Sequence, residues 1–128
     1  CALPISGTPH TFSLLKRDNA ASSLSSLVLS VDDLLRWEGV ERLDYMKIDV
    51  EGAEYDTLVG GMEVLKKYKP NIILAIHPEP IEKKGDTLED IYDLLEKLKY
   101  NINTKDGYIS REAFCSNKEL MCLHLSPR

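Results

Sequence analysis

The stretch from residue 45 to residue 54, YMKIDVEGAE, limits the fold more than any other part of the chain. Its apolar residues Met46, Ile48 and Val50 alternate with charged residues, which is the period-two pattern of a β-strand. Ionised groups are costly inside a sheet covered on both faces, but they are tolerated at the carboxyl end of a strand. In open α/β sheets that end faces the crevice where ligands bind. The stretch therefore predicts a strand that ends at an acidic site and turns through Gly52 into a helix.

Strand and helix patterns alternate along the rest of the chain. Further strands are predicted at residues 10–15, 27–31, 71–76, 101–104 and 120–125, and the third of these is apolar enough to be buried on both faces. Helical spacing of apolar residues is found at 31–37, at 55–65 with a break at Gly60-Gly61, and at 88–98 behind a capping box of Thr87 and Asp90. The prolines after His77 predict an irregular loop. This order predicts a parallel α/β sheet that ends in an antiparallel, hairpin-like pair.

The strand order also predicts which side chains meet. Helical crossovers between parallel strands are almost always right-handed. The strand that ends at Val50 and the strand that ends at Ile76 should therefore be neighbours, with their carboxyl ends on one edge of the sheet. That arrangement places His77 beside Asp49 and Glu51.

Composition excludes several classes of protein. A length of 128 residues, 43% of them hydrophobic, fits one globular domain. The net charge of -5, without clusters of Lys and Arg, gives no footprint for nucleic acid or an anionic membrane. The longest apolar run, residues 72–76, is far shorter than the roughly 20 residues of a membrane-spanning helix. Cys1, Cys115 and Cys122 form no C-x-x-C pair, so no disulfide framework or zinc site is indicated and a cytoplasmic location is expected.

The spacing of the glycines does not match a cofactor-binding loop. None of the seven forms a G-x-G pair, so the sequence has no glycine-rich loop of the dinucleotide- or adenosyl-binding type. Either the chain needs no such loop, or it is the later part of a longer domain.

Several segments resemble one known family. The octet at residues 47–54, KIDVEGAE, followed by Leu58 and Gly60, resembles the signature of the FkbM family of S-adenosylmethionine-dependent methyltransferases. Residues 30–34 (SVDDL), Lys69-Pro70 before an apolar strand, and Cys1-Ala2-Leu3 with Gly7-Thr8 and Phe12 are also similar to that family.

The resemblance implies a Rossmann-like class I methyltransferase fold of the α/β class, with a mostly parallel sheet and an antiparallel final strand. Residues 1–128 would be the C-terminal portion of a single methyltransferase domain, with the N-terminal strands and the glycine-rich loop missing from it. The implied cofactor is S-adenosyl-L-methionine, and the implied reaction is O-methylation of a hydroxyl on a sugar, glycolipid or secondary metabolite. An unpaired edge on the central strand would favour a homo-oligomer.

The same resemblance assigns roles to individual residues. Asp49 would lie at the end of the fourth strand, near the methyl group of the cofactor, and would accept or position the proton of the acceptor hydroxyl. Glu51 would bind a second hydroxyl or stabilise the following helix. His77 is an alternative base, because histidine titrates near neutral pH. Ala2 and Leu3 would lie near the adenine of the cofactor.

Other interpretations of the same residues stay open. Asp49 and Glu51 could be a helix cap and an ion pair with Lys47, and His77 could be a loop histidine held by a backbone carbonyl. Asp49 and Glu51 could also hold the divalent metal of a nucleotide-sugar glycosyltransferase. Finally, the chain could be a non-catalytic α/β module that mediates oligomerisation.

Overall fold

The computed structural model of the chain describes residues 28–128. The elements in this range are α1 (Val31–Trp37), β1 (Tyr45–Ile48), α2 (Glu54–Gly60), α3 (Met62–Tyr68), β2 (Asn71–Ile76), α4 (Pro78–Lys84), α5 (Leu88–Lys97), β3 (Tyr100–Thr104), β4 (Gly107–Tyr108), α6 (Arg111–Cys115) and β5 (Met121–Pro127). The strand predicted at residues 10–15 and the adenine contacts predicted for Ala2 and Leu3 lie outside the described residues.

The five strands form one mixed sheet in the order β1-β2-β5-β3-β4. Only the pair of β1 and β2 is parallel, and the other three pairs are antiparallel. The prediction of a mostly parallel sheet is therefore wrong for the described residues, whereas the antiparallel final strand is confirmed. The reason is the place of β5, which enters the sheet between β2 and β3 instead of at an edge. Strands β1, β2 and β3 share one direction, but the intervening β5 makes two of the pairs antiparallel.

One face of the sheet carries the core. Alternate residues of β2 (Ile72, Leu74 and Ile76) are buried there, together with apolar side chains of the helices that cover this face. Burying one such side chain stabilises a fold by about 1.5–3 kcal/mol. The opposite face is more open, and Ile73 is 44% exposed. Burial of β2 on both faces, as its apolar run predicts, is therefore not observed.

Two local predictions are also wrong. Residues 28–30 form no strand, and Ser30 is instead the N-cap of α1, accepting a hydrogen bond from the backbone N–H of Asp33. The segment after His77 is helix α4 and not an irregular loop. Its prolines, Pro78 and Pro80, occupy the first turn, where backbone N–H groups have no partner within the helix, so they remove no hydrogen bond.

The break predicted at the two adjacent glycines is confirmed. Helix α2 ends at Gly60 and α3 begins at Met62. The carboxylate of Asp32 in α1 accepts hydrogen bonds from the backbone N–H groups of Glu63 and Val64, at 3.0 and 2.9 Å. Helix α1 is thereby attached to the first turn of α3.

None of the helices within residues 28–128 has the length and apolar character needed to cross a membrane.

Candidate active site

A tight corner joins the end of β1 to α2. Glu51 has a φ of 47° and Gly52 a φ of 108°, so both lie in the region of positive φ that favours glycine. A Cβ atom on Gly52 would lie 2.7 Å from the Cβ atom of Pro80 in α4. The corner therefore requires glycine at position 52, both for its backbone conformation and for its contact with α4.

The carboxyl ends of β1 and β2 bring Asp49 and His77 together. The parallel register pairs Ile48 with Leu74, and each strand then ends within two residues. The Nε2 atom of His77 lies 3.8 Å from Oδ1 of Asp49. The predicted proximity of these two residues is therefore confirmed.

Asp49 also forms an ion pair with Lys47. The ammonium group of Lys47 donates a hydrogen bond of 2.9 Å to Oδ2 of Asp49, as the simpler interpretation of this carboxylate predicts. This hydrogen bond and the charge of Lys47 lower the pKa of Asp49, and His77 lowers it further when its ring is protonated. The Asp49 carboxylate is therefore ionised at neutral pH and is a weak base.

Glu54 holds the other side of the His77 ring. Its side chain is fully buried, at 0% exposure, and Oε1 lies 2.6 Å from Nδ1 of His77. Its other oxygen, Oε2, accepts a hydrogen bond of 2.8 Å from the backbone N–H of Gly52. His77 is thus held by a buried carboxylate and not by a backbone carbonyl. The sequence pattern did not indicate this role, although Glu54 precedes the buried Leu58 by four residues and so shares its helical face.

Glu51 does not join this cluster. Its side chain is exposed, and no hydrogen bond or ion pair links it to Asp49 or His77 in the described part of the chain. It lines a mostly apolar cavity of about 220 Å³ that lies between the corner, residues 28–31, and the α4 residues Pro80 and Lys84.

Lys84, which lines that cavity, belongs to a network of charged side chains. Its ammonium group pairs with Asp56 and Asp86. Partial burial alone would lower the pKa of Lys84, but the hydrogen bonds and charges of the two carboxylates outweigh burial and raise it. Lys84 is therefore a fixed cation.

The chain matches one family model. The methyltransferase FkbM domain matches residues 6–102. The chain belongs to the FkbM methyltransferase family. Comparisons with curated proteins and with solved structures give no match. Membership of this family favours methyl transfer over the glycosyltransferase and non-catalytic interpretations.

The FkbM match contains all three residues predicted as catalytic. Asp49, Glu51 and His77 lie within its range, as does the corner with Glu54. Within residues 28–128, no group of three or more His, Cys, Asp or Glu side chains is arranged to hold a metal ion. What the FkbM chain does present at this edge is an imidazole next to an ionised carboxylate, a pair that can bind a hydroxyl group and accept its proton.

Proposed function

We propose that this FkbM chain is part of an enzyme that uses S-adenosyl-L-methionine to methylate a hydroxyl group on a sugar, glycolipid or other secondary metabolite. The observation that carries the proposal is the meeting of Asp49 and His77, 3.8 Å apart, at the carboxyl edge of a parallel strand pair in a methyltransferase family. Ligands of open α/β sheets bind at this edge.

The Asp49 carboxylate fits the proposed cofactor by charge. When bound, S-adenosyl-L-methionine supplies a methyl group attached to a positively charged sulfur. Asp49 is ionised, since Lys47 lowers its pKa, and its side chain is 43% exposed at the edge of the sheet. Ala2 and Leu3 are proposed to contact the adenine, and both lie outside the described residues.

The proposed reaction moves one proton to the protein. The bound cofactor would supply the methyl group to the acceptor oxygen, and its sulfur would keep the electron pair of the bond to that group. The oxygen gives its proton to Nε2 of His77, because the ion pair with Lys47 lowers the pKa of Asp49 and makes its carboxylate a poor proton acceptor. Asp49 orients the hydroxyl and stabilises the imidazolium that forms. A positioned base of this kind contributes about 10²–10⁴-fold in rate, and alignment of the reactants supplies much of the rest.

The cavity beside Glu51 is proposed to hold the remainder of the acceptor. Its mostly apolar lining fits the apolar portion of a glycolipid or secondary metabolite, and Glu51 at its rim can bind a second hydroxyl. The net charge of -5 favours such a small-molecule or glycan acceptor over nucleic acid. A cytoplasmic location and a homo-oligomer are part of the proposal.

Methyl transfer to a panel of sugars and glycosides tests the proposal, and it is measured with the upstream-extended protein, because the 128-residue chain alone is not expected to bind the cofactor. With a labelled methyl group on the cofactor, the product should be an ether that resists mild base, which distinguishes it from a methyl ester. His77→Gln should lower turnover by about 10²–10⁴-fold, the range for a positioned proton acceptor, and Asp49→Asn should also lower it, because the imidazolium that forms loses the negative charge beside it. Asp44→Asn is the matched control, because Asp44 precedes the amino end of the same strand and should leave turnover unchanged. Full turnover by both site variants would refute the proposed roles.

We further propose that residues 1–128 are the C-terminal portion of the methyltransferase domain and that the fold is Rossmann-like. The absence of a G-x-G pair supports this proposal, because such a loop normally binds the phosphates or adenosyl group of the cofactor. Calorimetry with S-adenosyl-L-methionine should show no binding to the 128-residue chain. Tight binding to this chain would contradict the proposal.

A further inference from the structure

We infer that Glu54 is a positioning residue, which holds the proton of neutral His77 on Nδ1 and so leaves Nε2 free to act as the base. This inference rests on the proposed function, since it explains how the same histidine is prepared for proton transfer. Neither the family match nor the pattern of the sequence assigns such a role to Glu54.

The two oxygens of Glu54 have separate partners. Oε2 accepts from the backbone N–H of Gly52, which can only donate, and Oε1 faces Nδ1 of His77 at 2.6 Å. A carboxylate has no proton to give, so Nδ1 must carry the hydrogen in this contact. The remaining ring nitrogen, Nε2, then has a lone pair and points toward Asp49.

The burial of Glu54 makes this contact strong and specific. A buried carboxylate is tolerated only when hydrogen bonds replace its hydration, and loss of one partner leaves a large penalty. Within residues 28–128, the charged groups next to the ring of His77 are Glu54 from α2 and Asp49 after β1, and Lys47 pairs with the other oxygen of Asp49. The fold thus fixes one ring nitrogen from the inside and leaves the other at the open edge of the sheet.

Two other protonation states would remove the base. A protonated Glu54 would donate to Nδ1 and place the ring proton on Nε2. A doubly protonated ring, paired with both Glu54 and Asp49, would have no lone pair at either nitrogen. Each state gives a different pair of nitrogen signals, so spectroscopy can separate them.

The first test measures the tautomer directly. Long-range proton–nitrogen NMR on the chain carrying His10→Asn and His124→Asn observes His77 alone, because the sequence has three histidines. The pH is raised until the signals of the doubly protonated ring have disappeared, and in the neutral ring we expect a protonated Nδ1 and an unprotonated Nε2. The opposite tautomer, with the proton on Nε2, would overturn the inference.

The second test uses Glu54→Gln. The N–H of Gly52 requires the amide oxygen as its acceptor, so the amide NH₂ of the glutamine must face Nδ1 of His77. That NH₂ can only donate, and the ring proton should therefore move to Nε2. Glu79→Gln, an exposed change two residues from His77 in the first turn of α4, is the matched control and should leave the tautomer unchanged. A Glu54→Gln chain that keeps the proton on Nδ1 would show that Glu54 only supports the corner.

Turnover provides a third readout. In the upstream-extended protein, Glu54→Gln should lower kcat for methyl transfer by about 10²–10⁴-fold, the range for loss of a positioned base, and leave the KM of the acceptor within about twofold. A rise in KM at unchanged kcat would overturn the inference. The tautomer measurement needs neither cofactor nor acceptor, so it can fail while methyl transfer is demonstrated, and it can succeed if the proposed reaction is wrong.

Discussion

Two buried polar side chains differ in whether their polar atoms have hydrogen-bond partners. Glu54 has a partner for each carboxylate oxygen, whereas the hydroxyl of the fully buried Tyr100 has no hydrogen-bond partner among the described residues. Burial raises the pKa of Tyr100 to about 12, so its hydroxyl is neutral at physiological pH. The first group is part of the candidate site, and the second is a local weakness of the core.

Tyr100→Phe should therefore stabilise the fold. The ring keeps its packing and its contact with the ammonium group of Lys69, which lies 5.7 Å from the ring centroid, while the unsatisfied hydroxyl is removed. We expect the free energy of unfolding, measured by urea denaturation, to rise by about 1 kcal/mol. Tyr92→Phe is the control, because its hydroxyl lies 3.4 Å from that of Tyr108 and should give no such gain. A loss of stability in Tyr100→Phe would show that the hydroxyl has a partner after all.

At the scale of elements, the corner between β1 and α2 is constrained both by its backbone conformation and by its contact with α4. Gly52 and Gly107 have nearly the same φ, 108° and 110°, but only at Gly52 would an added Cβ meet another residue. The pair therefore separates the effect of backbone conformation from the effect of contact with Pro80.

We expect Gly52→Ala to destabilise the chain more than Gly107→Ala. Both changes force alanine into positive φ, at about 1–2 kcal/mol. Gly52→Ala adds an overlap with Pro80, for which overpacked sites lose a further ~1–3 kcal/mol. Chemical denaturation of both variants measures the difference. Equal losses would mean that α4 moves away from the corner without penalty.

The SVDDL segment, residues 30–34, attaches helix α1 to helix α3. Ser30 caps α1, and Asp32 satisfies two backbone N–H groups in the first turn of α3. Capping and attachment of α1 to α3 are therefore the structural roles of Ser30 and Asp32 in this segment.

Asp32→Ala should lower the free energy of unfolding by about 1–2 kcal/mol, since it removes both hydrogen bonds at once. The exposed Glu41 gives the control Glu41→Ala, which should change stability by less than about 0.5 kcal/mol. Denaturation curves of the two variants provide the comparison. Equal curves would mean that the hydrogen bonds of Asp32 to α3 do not stabilise the fold.

Local signals predicted several elements well. The capping box of Thr87 and Asp90 marks the start of α5, and the glycine pair marks the break between α2 and α3. Helix α4 could not be predicted in this way, because its prolines favour both a loop and the first turn of a helix. Only the packing of Pro80 and Ile81 against the rest of the fold decides between the two.

At the scale of the whole molecule, pattern alone predicted less. The meeting of Asp49 and His77 followed from crossover handedness, which is a general property of parallel strands. The insertion of β5 between β2 and β3 depends on long-range pairing that no local pattern encodes. The role of Glu54 was not predicted for a similar reason. One of its partners, His77, is 23 residues away in the sequence, and local pattern does not show that the two side chains meet.

The sheet also leaves an open surface. We define the open face as Tyr45, Lys47, Ile73, Cys122 and His124, which alternate with the core residues of β1, β2 and β5. Tyr45 is 77% exposed and Ile73 44% exposed. The outer edge of β1 has no partner strand among the described residues. Exposed apolar surface and unpaired strand edges both favour association between chains.

We therefore expect the 128-residue chain to self-associate as its concentration rises, in sedimentation velocity under reducing conditions that keep Cys122 from forming disulfides. Ile73→Lys should shift the population toward monomer, because a charge in the centre of the open face must lose its hydration when two chains meet. Val59→Lys is the matched control, since Val59 is exposed to nearly the same degree, 43%, but lies on α2 away from the open face. Equal effects of the two lysines would mean that net charge, and not the open face, controls association.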